Sequence, residues 1–172
     1  MTFKVKIDLR GASSLVLFAL VFSVSYAFVE YYVIRDTTFG YSPMLFSLIY
    51  PYHFAMVAVF GLAAFGLLWG HISMKSLIPS LIMVGAVFSS MLAVEDFTWF
   101  TLRAGAPMQG DINAGKLINS GEWTTQFMGS VDAYFTAIPN WYFLSIGLSA
   151  VALVTTRRRQ LGSNRSHLAV TC

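Results

Sequence analysis

Val94-Glu95-Asp96-Phe97-Thr98-Trp99-Phe100 closes an apolar run that begins at Leu77, and its reading decides the fold. Two adjacent carboxylates sit at the end of a stretch long enough to cross a hydrocarbon core of ~30 Å, and aromatics follow at once. In water such a segment would be ordinary. At the edge of a bilayer the carboxylates are costly and need partners. Pro79 falls in the first turn of this helix, where its missing N–H costs nothing, and Arg103 ends the segment.

Working outward, three further runs share this character. The first spans about 12–34, the second 48–70 and the fourth 138–155, with the third at 77–100. Pro51 opens the helical part of the second run as Pro79 opens the third. The first has a basic start and a small-x-small site at Ser25-Tyr26-Ala27, as a signal peptide would, but its apolar run continues well past that site. Residues 104–135 form a long outer loop punctuated by Gly105, Pro107, Gly110, Gly115, Gly121 and Gly129, with short interfacial helices expected at Ile112–Leu117 and Trp123–Met128. The tail, 157–172, reads as basic and disordered.

Composition agrees. Of 172 residues, 56% are hydrophobic and 11% charged, whereas soluble domains carry about a quarter charged residues. The expectation is one all-α membrane domain of four transmembrane helices, residues 1–156. The net charge of +3 comes from basic residues beside apolar runs, so no nucleic-acid partner is expected. The only cysteine, Cys172, excludes an intrachain disulfide and a cysteine zinc site.

Charge sets the orientation. Lys4, Lys6, Arg10, Lys75, Arg157, Arg158, Arg159 and Arg165 fall on one side; Arg35, Arg103 and Lys116 fall on the other. The positive-inside rule then gives a multi-pass protein of the cell membrane with both termini cytoplasmic. The acids show the reverse bias. Asp8 is inside, while Glu30, Asp36, Glu95, Asp96, Asp111, Glu122 and Asp132 lie on or near the outer face. Insertion does not explain that asymmetry.

Ala19, Ser23, Ala27 and Glu30 recur at spacings of 4, 4 and 3, as do Gly85, Ser89, Ala93 and Asp96. Each is a small-residue stripe on one helix face ending in a carboxylate, the usual packing face of a membrane helix. This suggests a tandem repeat of two helix pairs. A rival register aligns Ser25-x-x-x-Val29-Glu30 with Ser90-x-x-x-Val94-Glu95. Gly66-x-x-x-Gly70 adds a possible contact face, within the bundle, in a homo-oligomer or with other membrane subunits.

The candidate catalytic residues are Glu95, Asp96, Glu30 and His53, with Tyr26, Trp99, Trp141 and Arg103 lining a pocket. Arg103 lies seven residues beyond Asp96 on the same face, within reach of one of the acids. The plain alternative is that the acids sit in the wet interface, among Tyr31, Tyr32, Tyr50, Tyr52, Trp99, Trp141 and Tyr142 as an aromatic belt. Glu30, His53 and Asp96, with Glu95, would suit a hard or borderline cation, although the Glu-x-x-His pairs of helical dimetal sites are missing. His53 and His71 lie about 27 Å apart along one helix and cannot share a haem iron. Serine-nucleophile motifs, phosphate loops and HExxH do not occur.

Glu95-Asp96-Phe97-Thr98-Trp99-Phe100 resembles the acidic-pair-plus-aromatics motif at helix ends in lycopene-cyclase-type membrane domains, which act on carotenoids. The resemblance implies an acid that protonates a polyene and aromatics around the developing cation. It covers six residues; the motif's proline one or two places before the acids is missing here, and the helix count is short of the full two-domain enzyme. The stretch is also similar to an E-D-F-x-W-F element in small polytopic membrane proteins, which implies no activity.

Three functions fit these residues. The first is a small membrane subunit or binding protein whose outer acidic and His cluster meets a partner or an apolar ligand. The second is a membrane enzyme acting on an isoprenoid or other lipid, with Asp96 or Glu95 as acid and Glu30 and His53 as proton partners. The third is a proton- or cation-coupled transport component.

Overall fold

The computed structural model describes residues 9–34, 51–69, 72, 77–106, 117–120 and 122–168. Helix α1 covers Leu9–Val29 and passes into a π-helical turn, Glu30–Ile34. Helix α2 covers Pro51–Leu68 and α3 covers Leu77–Gly105. A short helix α4, Trp123–Met128, precedes an antiparallel hairpin of β1, Ser130–Ala133, and β2, Thr136–Pro139. Helix α5 covers Asn140–Leu168.

The chain is mainly helical. Ser14–Ile34 and Leu77–Gly105 are long and apolar enough to cross a membrane, whereas Tyr52–Leu68 and Asn140–Thr155 are apolar but shorter. Large apolar side chains point outward from all four long helices: Leu17 is 63% exposed, Leu62 and Ile78 72%, and Leu153 71%. Outward apolar surface on this scale suits lipid far better than water.

Helix α3 is the central strut. It packs against α5, α1 and α2. The α1–α3 contact uses the small-residue stripe read from the sequence: Ser23 and Ala27 have no exposed surface, and Ser23 Oγ donates to Ala19 O at 2.8 Å. The hydroxyl is thus satisfied within its own helix, and the face stays thin. The core between α1, α2 and α3 is built on Met56, Phe60, Ala64 and Met91. The Phe60 ring meets Phe22 and Tyr26 edge-on, at 5.2 and 5.1 Å between centroids.

Three boundaries differ from the sequence reading. Helix α3 runs on to Gly105 instead of ending at Phe100. Helix α5 continues through Arg157–Arg159 to Leu168, where a disordered tail is expected; nothing in 157–168 breaks a helix except Gly162. The outer loop holds the expected helix at Trp123–Met128, and also a hairpin that the sequence reading lacks. The helix expected at Ile112–Leu117 lies outside the described residues apart from Leu117, as do Gly70 and His71. Gly66 is exposed on α2 with nothing within 4 Å of where its Cβ would stand, so it makes no close helix contact among the described residues.

The loop folds onto the start of α5. Gly129 ends α4 with φ +76°, a conformation that favours glycine. Its carbonyl accepts from Asn140 N at 3.0 Å, and Asn140 Nδ2 donates to Met128 O at 3.0 Å. On the far side of β2, Leu117 N donates to Phe135 O and Ala137 N to Ile118 O, extending the hairpin by a third short partner.

Ala27→Leu forces a larger side chain into the closed α1–α3 face. It is expected to destabilise the protein by about 1–3 kcal/mol, read as a lowered midpoint of thermal unfolding in detergent. Val24→Leu, on the partly exposed side of the same helix, should leave that midpoint unchanged.

Candidate functional site

The acids gather at one end of the bundle. Glu30, Glu95, Asp96 and His53 are 6%, 3%, 7% and 3% exposed. The wet-interface alternative for Glu30, Glu95 and Asp96 is therefore not what is found.

Glu95 and Asp96 are neighbours on α3, about 100° apart around the helix, and the bundle uses both directions. Glu95 faces α1, where its carboxyl lies beside that of Glu30, and Tyr52 of α2 lies beside Glu30 in turn. Asp96 faces the other way, toward α4 and α5. Tyr142 Oη donates to Asp96 Oδ2 at 2.7 Å, and Thr124 Oγ1 donates to the same oxygen at 2.9 Å. Trp141 Nε1 donates in turn to Thr124 Oγ1 at 2.8 Å. Glu30 thus lies beside Glu95, while Asp96 points to other elements.

The Glu30 and Glu95 carboxyls are both buried where α1 and α3 meet, and two neighbouring buried acids are costly to charge together. Tyr26, one turn below Glu30, lies within electrostatic range of both acids. Glu30 opens the π-helical turn, and its Oε2 is buried with no hydrogen-bond partner among the described residues. The wider π turn lets two successive residues, Glu30 and Tyr31, both point inward. Such turns occur often at functional sites. Tyr31 Oη donates to Ala106 O at 2.7 Å, fastening this turn to the end of α3.

Three consecutive loop residues close the cluster. Glu122 Oε1 pairs with Arg103 Nη1 of α3 at 2.8 Å. The Trp123 ring stands 4.6 Å from the His53 ring of α2. Thr124 bridges Asp96 and Trp141, hence α3 and α5. The loop is thus pinned to α2, α3 and α5 over a single turn. Arg103 does not pair with Glu30, Glu95 or Asp96, as its spacing allows; it pairs with Glu122 while lying over the rings of Trp99 and Phe100 at 5.2 and 4.7 Å.

Among the described residues no group of three or more His, Cys, Asp or Glu side chains is placed to hold a metal ion. Glu30, His53 and Asp96 do not form the ligand set considered from sequence. His53 is stacked between Tyr52 and Trp123, and Asp96 is occupied by two hydroxyl donors.

Of the residues named from sequence, Glu30, Glu95 and Asp96 come together, with Tyr26 and Trp141 bordering them; Trp99 and Arg103 form a separate stack one to two turns above. Tyr52, Glu122, Trp123, Thr124 and Tyr142 complete the site and are missing from the candidate set. Tyr52 and Tyr142 are visible in the sequence only as aromatic-belt residues. Thr124 carries no local signal, because its partner lies 28 positions away.

Comparison with known protein families, with curated proteins and with solved structures finds no match. The six-residue resemblance to lycopene-cyclase-type domains is not extended by any of them.

Asp96→Ala removes the shared acceptor of Tyr142 and Thr124. A cost of about 1–3 kcal/mol follows from two buried donors losing their partner. The expected signature is faster hydrogen exchange across residues 122–128 with the α1–α3 packing intact; unchanged exchange there would show that Asp96 does not hold the loop.

Proposed function

We propose that this chain is a four-span membrane protein with cytoplasmic termini that binds an apolar, lipid-like ligand inside its helix bundle, beneath the capped carboxyl cluster. One observation carries the reading. A cleft of about 440 Å³, open to the surface past Val16, Leu20 and Leu153, lies between α1, α2, α3 and α5. Ligand sites commonly measure ~300–1,000 Å³, with mostly apolar walls. Here Ala19, Leu68, Val87 and Ala152 represent the four helices, and Val94, the residue before Glu95, also reaches the cavity. The apolar room and the polar cluster therefore meet on consecutive residues of α3.

Four spans are supported by length as well as composition. The 18 residues of α2 rise about 27 Å, close to the ~30 Å of a hydrocarbon core. The excess of Lys and Arg flanking α1 and α5 supports the orientation.

The test is direct. Purified in mild detergent and extracted with organic solvent, the wild-type protein should yield a copurifying single-chain or isoprenoid lipid by mass spectrometry. Ala86→Phe fills the cavity from α3 and should lose most of that lipid. Equal lipid content in the two proteins would reject the reading.

The Glu30–Glu95 pair favours a second reading, in which the bound lipid is also the substrate of acid–base chemistry. Glu95 is the better candidate for the acid, since Asp96 is committed as an acceptor to Tyr142 and Thr124. Glu95→Gln should then abolish conversion of the bound lipid while its occupancy persists. Continued conversion in that variant would remove the enzyme reading and leave binding alone.

A further inference from the structure

The cavity walls are apolar except for two hydroxyl side chains, Ser90 on α3 and Ser149 on α5. Both belong to a small hydroxyl chain between these helices. Ser149 Oγ donates to Ser145 O at 2.9 Å. Ser90 Oγ lies 2.9 Å from Ser149 Oγ and 3.5 Å from Ser145 Oγ.

Counting protons fixes what this chain offers a ligand. A serine hydroxyl has one O–H to donate and two lone pairs to accept with. The Ser149 proton is used on the Ser145 carbonyl. The 2.9 Å contact between Ser90 and Ser149 is then a bond donated by Ser90, so the Ser90 proton is used as well. Ser90 keeps at least one lone pair after the long contact with Ser145, and Ser149 keeps one after accepting from Ser90. With both 2.9 Å contacts made at once, the two hydroxyls that reach the cavity present acceptors and no donor, although the Ser90–Ser149 contact alone allows either atom to donate. Reversing the chain to free a donor would break the Ser149–Ser145 bond.

Resting on the ligand-binding reading above, we propose that the cavity selects an apolar chain carrying a hydrogen-bond donor, with Ser90 and Ser149 as the residues that accept from it. The ligand class is a long-chain or isoprenoid alcohol, rather than an ether, ester or ketone of the same length. Ser90 lies five residues before Glu95, about 7.5 Å deeper along α3. The rest of the lining is apolar, so these acceptors are the polar groups in the wall that can discriminate. A chain with only acceptors could be paired only by reversing the hydroxyl chain, at the cost of the Ser149–Ser145 bond.

The probes are 1-dodecanol and dodecyl methyl ether, offered in equal amounts to the full-length protein in detergent and read by native mass spectrometry. Wild type should retain the alcohol over the ether by about fivefold, the equivalent of one net hydrogen bond. The double variant Ser90→Ala, Ser149→Ala should bind both equally, with ether binding at the wild-type level. Ser90→Thr keeps the hydroxyl and should keep the preference. Equal retention of the two probes by wild type, or a preference that survives in the double variant, overturns this proposal and leaves lipid binding standing. Retention of neither probe by wild type overturns both readings together.

Discussion

Everything at the closed end of this molecule depends on the cost of a carboxyl group out of water. A buried acid must be hydrogen-bonded, protonated or paired, because the alternative is several kcal/mol of lost solvation. Three such groups lie within a few residues of one another in space, and each is treated differently. Glu30 and Glu95 are buried beside each other between α1 and α3, with Glu30 Oε2 left without a hydrogen-bond partner among the described residues. Asp96 is satisfied by hydroxyls, Tyr142 from the fourth long helix and Thr124 from the loop before it. The requirement of one aspartate thus recruits a segment 28 residues away. The outer loop has a fixed seat for this reason, and not because its own sequence is strongly helical: α4 has six residues and no side-chain N-cap bond.

The placement of two adjacent acids on α3 has a structural logic. Consecutive helix positions diverge by about 100°, so a side chain on an edge helix could bury one and expose its neighbour. Helix α3 packs against α1, α2 and α5, and at Glu95 and Asp96 it uses two of these directions, so both acids are buried.

What was legible in the sequence follows range of interaction. The long apolar runs, the prolines at Pro51 and Pro79, and the stripe Ser23–Ala27–Glu30 are set by local periodicity, and the corresponding helices and the α1–α3 face agree with them. The acids could be named as candidates because charge within an apolar run is conspicuous. Their partners could not, since Tyr52, Thr124 and Tyr142 are ordinary residues made important by folding. The hairpin escaped for a different reason. Its two-residue turn is Tyr134-Phe135, without the Asn or Gly that usually announces such a turn; it is held by backbone bonds from Leu117 and to Ile118, and by Asn140 at the start of α5. The end of α3 was set too early because Arg103, taken as a stop, is a cation laid over Trp99 and Phe100 and bridged to Glu122.

The π-helical turn at Glu30–Ile34 carries a consequence for how this chain can vary. A π turn holds one residue more than an α turn, so the helix beyond it is rotated by the angle of that extra residue. Removing a single residue from the turn would restore ordinary α geometry and rotate whatever follows the gap by about 100° against α1. Length in this short stretch is thereby constrained more tightly than composition. An aliphatic for an aliphatic at Val33, which is 60% exposed, changes little, but a one-residue gap would turn the residues after it away from their present faces in one step.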